Sequence, residues 1–128
     1  PKQIFLLIGV NDISHDLSTD SIVNMIEKNV TRIQRESPET KLYLQSLLPI
    51  DESFNRYKKL TNKTYQIPEI NDRLKALAKE KKIDFIDLYP LFTEKGTNVL
   101  RKELTYDGLH LKEEGYKIWV DAIKKKIK

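Results

Sequence analysis

Cysteine is absent from the 128 residues, which removes disulfides, thiolate nucleophiles and cysteine-ligated zinc together. The compartment stays open, because exported proteins also do without cysteine. Long apolar runs are absent too. The longest, Ile4 to Ile8, is far short of the roughly 20 residues needed to cross a bilayer as a helix, so no membrane span is expected. Pro1 and Lys2 lead straight into that run with no h-region of proper length and no small-residue cleavage site, so no signal peptide is read. Glycine numbers only four, and no Gly-rich phosphate loop occurs, which argues against a flavodoxin-like nucleotide or signalling domain.

A strong charge of one sign is missing as well. Lys and Arg total 23 against 19 Asp and Glu, a net +4, so no nucleic-acid partner is expected. Up to Tyr57 acidic residues lead by eight to six; from Lys58 onward basic residues lead by 17 to 11. Those lysines sit among Glu and Asp on helix-like faces and read as solvated surface. The run Lys124, Lys125, Lys126 and Lys128 is expected to close a helix, where cations suit the negative end of the dipole, with a phosphate-binding tail as the alternative.

What is present is a foldable chain, 39% hydrophobic and 33% charged, about the size of one domain. Ile4-Phe5-Leu6-Leu7-Ile8 has the pattern of a strand buried on both faces. A loop over residues 11–20 should follow, then a helix marked by Ile22, Ile26, Val30 and Ile33, with Ser18, Thr19 or Asp20 as N-cap and Pro38 beyond its end. A second strand is read over residues 41–48, and Ile70, Leu74, Leu77 and Ala78 mark a second helix. A third strand is read over residues 83–88, and Ile118, Trp119, Ala122, Ile123 and Ile127 form the stripe of a last helix. Alternation of strand and helix predicts an α/β fold with a parallel sheet.

Three strands are few for such a sheet. The most apolar strand comes first, and in doubly wound sheets such a strand commonly sits centrally. Its other neighbour is therefore expected from residues outside this chain or from another molecule. The chain also opens without Met, and its beginning is expected upstream. Residues 1–128 are read as one domain, incomplete at its N-terminal side.

Two segments are expected at the carboxyl ends of the strands, where ligands bind in open α/β sheets. They are Gly9-Val10-Asn11-Asp12 and Asp107-Gly108-Leu109-His110. A carboxylate three residues ahead of a histidine can accept the Nδ1 proton and leave Nε2 as a general base. An amide at a strand end can donate to a developing oxyanion. Each has a plainer reading: Asn11 and Asp12 as turn residues, His110 as a partly buried helix cap. His15 reads as exposed loop, and the two histidines lack metal-ligand spacing. Trp119 reads as helix packing. The long loop over residues 51–66 should overhang the strand ends, where Phe54, Tyr57 and Tyr65 would either line an acyl or sugar pocket or pack the scaffold.

The two segments resemble the third block, Gly-x-Asn-Asp, and the fifth block, Asp-x-x-His, of the SGNH hydrolases, also called the GDSL esterase/lipase family. Leu44-Gln45-Ser46-Leu47-Leu48-Pro49 is similar to a segment of its platelet-activating-factor-acetylhydrolase-like acylesterases. The resemblance implies a flavodoxin-like three-layer α/β/α sandwich with a parallel sheet, here without its first strands. It implies hydrolysis of short acyl esters such as acetyl esters, carried on carbohydrates or lipids. Asn11 would be the oxyanion-hole amide, His110 the general base and Asp107 the carboxylate that orients it, with Gly9 keeping the backbone close. The partner would be a small acylated substrate, with no cofactor and no metal. The family's first block, Gly-Asp-Ser, and the glycine of its second are missing. Ser14, Ser18, Ser21, Ser37, Ser46 and Ser53 are the serines present, and none stands in that context. The nucleophile is therefore expected upstream of Pro1. A chain without it would act as a carbohydrate- or ester-binding module.

Overall fold

The computed structural model describes residues 1–127. Three strands, β1 (Gln3–Leu6), β2 (Lys41–Gln45) and β3 (Asp84–Ile86), form a parallel sheet in the order β1-β2-β3. Five helices accompany it: α1 (Val10–Ser14), α2 (Thr19–Glu36), α3 (Gln66–Lys81), α4 (Tyr89–Phe92) and α5 (Glu113–Ile123).

The pleat of β2 sorts the two cores. Successive side chains on a strand point to opposite faces. Leu42 and Leu44 accordingly join Ile22, Ile26, Ile70 and Leu74 of α2 and α3. Tyr43 joins Phe92, Leu100 and Leu104, with Ile118, Trp119 and Ile123 of α5 packed against them. The layers are thus helix, sheet and helix. The stripe expected for the first long helix is the one that packs: Ile22, Ile26 and Val30 are fully buried, and Ser18 is its cap, accepting from the Ser21 N–H at 3.1 Å.

Several expectations are corrected. The loop expected over residues 11–20 contains α1, closed by Asp12 and Ile13 N–H groups donating to the Gly9 carbonyl. Five residues are too few to carry a readable helical period. The second and third strands are shorter than read, because pairing ends at Gln45 and Ile86. After a last backbone bond from the Ser46 N–H to the Ile86 carbonyl, the chain turns to side-chain partners. The Ser46 hydroxyl accepts from the Leu88 and Tyr89 N–H groups, and Leu47 pairs with Asn71. The last helix stops at Ile123, so Ile127 is outside it and exposed. Lys124 to Lys126 follow that end, and Lys128 lies outside the described residues.

The first strand is not buried within this chain. It stands at the sheet edge, and all four of its residues are half-buried. Phe5 stacks on Tyr43 across the β1–β2 pair, ring centroids 4.6 Å apart, while no strand of the described residues pairs with the other edge of β1. The last helix is similarly bare. Gly115 is its one buried residue, and Tyr116 and Val120 are exposed. No helix of the described residues is long and apolar enough to cross a membrane.

Candidate active site

Each strand hands the chain to the same end of the sheet. After β1, Gly9 takes a φ of 132°, a region that favours glycine, and turns the chain directly into α1. Asn11 sits in the first turn of that helix and is exposed. Its carbonyl accepts from the Ser14 hydroxyl at 2.6 Å and lies 2.7 Å from His15 Nδ1. Its side-chain amide meets no hydrogen-bond partner among the described residues.

The second segment is a tight turn before α5. Its base is Thr105, whose hydroxyl donates to the His110 carbonyl at 2.6 Å and accepts from the N–H groups of Asp107 and Gly108. Within the turn every oxygen of the Asp107 carboxylate is engaged. Oδ1 accepts from the backbone N–H of Leu109 at 2.9 Å and of His110 at 2.8 Å. Oδ2 lies 2.8 Å from His110 Nδ1 and accepts from the Tyr57 hydroxyl at 2.7 Å. Desolvation pushes the Asp107 carboxyl up, but the hydrogen bonds from Tyr57, from the His110 ring and from the two backbone N–H groups together outweigh it. They hold the group well below the usual carboxylate range. A carboxylate that stays ionised favours a proton on Nδ1, which leaves Nε2 with its lone pair. The side chain of Asp107 is 15% exposed and that of His110 66%, so the carboxylate is sheltered behind a ring that faces outward.

Gly108, between the two, has a φ of 90°, and a Cβ there would run into the Asp51 carbonyl and the Phe54 side chain. The glycine is what lets the segment after β2 lie against the turn. That segment is built by Asn71 of α3, a residue no local pattern in the sequence singles out. Its amide is buried and clamps Leu47 on both sides, accepting from the Leu47 N–H at 2.7 Å and donating to its carbonyl at 3.1 Å. Leu47, Leu48 and Pro49 then form one wall of a cavity.

The cavity measures about 540 Å³. Asn11 and His110, almost 100 residues apart in sequence, both line it, with Leu7, Leu48, Leu109 and Trp119 as apolar wall. The two sequence segments therefore meet at one opening. None of the six serines lines it. Ser46 is fully buried with its hydroxyl occupied, Ser18 caps α2, and Ser53 donates to Asp51 Oδ1.

Of the two readings open for the loop aromatics, Phe54 and Tyr57 follow packing, not pocket lining. Phe54, Tyr57 and Tyr65 do not line this cavity. Phe54 lies close to Gly108, Tyr57 reaches Asp107 and His110, and Tyr65 is 62% exposed. Trp119 does pack, its Nε1–H donating to Gln45 Oε1 at 2.8 Å, but it is also cavity wall. His15 is exposed as read. His110 does not cap α5, whose N-cap is Lys112.

Comparison with known proteins bears on the family and the fold. Residues 1–118 match the model of the GDSL-like Lipase/Acylhydrolase family. The isoamyl acetate-hydrolyzing esterase of Saccharomyces cerevisiae is 39% identical over 67 residues, 52% of this chain and 27% of that protein. The N-acylneuraminate cytidylyltransferase of Escherichia coli O18:K1:H7 is 27% identical over 126 residues, 98% of this chain and 28% of that protein. Among solved structures, a GDSL-like lipase from Bacteroides thetaiotaomicron superposes with a TM-score of 0.85 at 26% identity, covering 98% of this chain and 62% of that one. The chain thus spans little more than a quarter of these curated relatives and under two thirds of the lipase.

Proposed function

The chain belongs to the GDSL-like Lipase/Acylhydrolase family, and we propose that it carries the base, the orienting carboxylate and an oxyanion donor of a serine esterase whose nucleophile comes from outside these 128 residues. The observation that carries this reading is one arrangement. Nδ1 of His110 is held by Asp107 while the ring lines the same cavity as the unpartnered amide of Asn11. The reaction is hydrolysis of short acyl esters, acetyl esters first among them. The similarity to an esterase named for isoamyl acetate supports that class. The cytidylyltransferase does not redirect it, since this chain matches 28% of that protein and has no Gly-rich phosphate loop.

The steps follow from the donors and acceptors. A serine hydroxyl attacks the ester carbonyl, and its proton passes to His110 Nε2, leaving an imidazolium that Asp107 stabilises. The carbonyl oxygen becomes an oxyanion and receives a hydrogen bond from the Asn11 amide. As the C–O bond breaks, His110 returns the proton to the leaving alkoxide. Water, deprotonated by the same nitrogen, then releases the acid and regenerates the serine.

Two features support a nucleophile supplied from elsewhere. No serine of this chain lines the cavity. The strand β1 is apolar on both faces yet half-bare at an open edge, and such edges are ordinarily paired or covered. A parallel strand beside β1 would cover it and deliver its carboxyl end next to Gly9, completing the domain to which residues 1–128 contribute.

The test compares hydrolysis of p-nitrophenyl acetate by the 128-residue chain and by the full-length protein that contains it. The chain alone should stay near background, the full-length protein should turn over, and His110→Ala should abolish that turnover. Equal activity in both would place the nucleophile among the six serines. A full-length protein that binds acetylated ligands without cleaving them would make the chain part of a binding module.

A further inference from the structure

The loop between β2 and α3 brings one hydroxyl to the back of the Asp107–His110 pair. We infer that Tyr57 is a positioning residue for this pair, its O–H pinning Asp107 Oδ2 and its oxygen sharing the His110 Nδ1 proton. The three atoms form a closed triangle: Tyr57 oxygen to Asp107 Oδ2 2.7 Å, Tyr57 oxygen to His110 Nδ1 3.1 Å, Nδ1 to Oδ2 2.8 Å. The kinetic consequence rests on the esterase reading; the chemistry of the contact does not.

The pair needs such a hold because His110 has little packing of its own. With its side chain 66% exposed, the ring is oriented by what happens at Nδ1. On the carboxylate, Oδ1 is fixed by two backbone N–H groups, while Oδ2 would otherwise have the exposed ring alone. A second donor on Oδ2 keeps its remaining lone pair aimed at Nδ1. The tyrosine is itself well placed for this. Its ring is half-buried against the α2–α3 core, and its loop is tied to the turn by the Asp51 N–H, which donates to the Gly108 carbonyl at 2.8 Å. The tyrosine and imidazole centroids lie 5.9 Å apart, tilted by 60°.

The charges around Tyr57 keep it a donor. Its hydrogen bond to Asp107 raises the phenol above its ordinary value, desolvation and the Asp107 charge add to that, and neighbouring Arg56 works weakly against them. The phenol therefore remains protonated wherever Asp107 is ionised and ester hydrolysis is ordinarily measured.

Two readouts on the full-length protein test the assignment. The first follows the tyrosine Cζ carbons by NMR through an alkaline titration, with the Tyr57 signal identified by its loss in Tyr57→Phe. Tyr57 should ionise above the ordinary tyrosine value, and Asp107→Asn should bring it down. A Tyr57 signal at the ordinary value that ignores Asp107→Asn overturns the inference. The second readout is kinetic. Tyr57→Phe, which retains the packing ring, should lower kcat about ten-fold, the effect of losing a hydrogen bond to a charged group, with KM within about two-fold; an unchanged kcat overturns the inference. Should the protein turn over no ester at all, the carbon titration still decides whether Tyr57 holds Asp107, so failure of the esterase reading and failure of this one are distinct results.

Discussion

Asp51 and Gly108 lie backbone to backbone: the Asp51 N–H donates to the Gly108 carbonyl at 2.8 Å, and the absence of a Cβ on Gly108 makes the approach sterically open. The segment leaving β2 and the turn carrying His110 are thereby one piece, although 57 positions separate them. The placement of His110 over the cavity depends on that join as much as on the charged residues.

Gly108→Ala should accordingly be far more costly than a surface glycine change. The new Cβ meets both a backbone carbonyl and Phe54, at a φ of 90° that L side chains rarely adopt. We expect a loss of about 2 kcal/mol or more in urea unfolding, whereas Gly96→Ala, with open space around it, should pay only its positive-φ strain of about 1 kcal/mol. Equal losses at the two positions would mean that the Asp51–Gly108 contact is not formed.

Asn71→Ala should strand the N–H and carbonyl of Leu47, both now paired to one buried amide. Leaving buried backbone groups unsatisfied costs about 1–3 kcal/mol each. Asn71→Asp should be at least as costly as alanine at neutral pH, since it buries a carboxylate against the Leu47 carbonyl oxygen with no cation beside it. The check is the midpoint of chemical denaturation for the three proteins; an alanine variant as stable as wild type would contradict the clamp.

Asp107 should make the fold acid-sensitive. Its pKa is lower in the folded protein than in the unfolded chain, so its contribution to stability is complete above the unfolded value of about 3.9 and is lost as pH falls from there toward the folded value. Thermal melts between pH 7 and pH 2.5 should show a steeper acid decline for wild type than for Asp107→Asn. Parallel declines would show that the hydrogen bonds to this carboxylate are absent in solution.

In the full-length protein, Asn11→Ala should lower kcat on the order of 100- to 1000-fold, the cost of one oxyanion donor, while KM moves only a few-fold. Circular dichroism and melting control for the fold. A variant that is folded and changes KM alone would make Asn11 a substrate-binding residue; one that unfolds would make it a turn residue after Gly9.

The sequence exposed what depends on neighbours in the chain. Ile22, Ile26 and Val30 repeat at the helical period because one helix face is buried, and Ser18 precedes them as a cap, so α2 could be read directly. Asp107 and His110 lie three apart on one turn, and their pairing could be read too. What depended on distant partners stayed hidden. The Tyr57 hydroxyl meets a carboxylate 50 positions away, and Asn71 serves a backbone 24 positions away. Both are polar residues in ordinary surroundings of sequence; the length of the loop that overhangs the strand ends is the one signal for Tyr57, and length does not say which partner its hydroxyl meets. The apolar run at Ile4 to Ile8 announced a buried strand, yet β1 is half-bare at its open edge, because burial of a strand is a property of the sheet around it.

Mapping the reactive serine decides whether His110 serves a serine from outside these 128 residues. The full-length protein is treated with a fluorophosphonate, which forms a covalent bond with an activated serine, and the modified peptide is identified by mass spectrometry. The label should fall on a serine outside this chain, and His110→Ala should abolish labelling. A label on Ser14, Ser18, Ser21, Ser37, Ser46 or Ser53 would place the nucleophile within this chain, and labelling indifferent to His110 would remove His110 as its base.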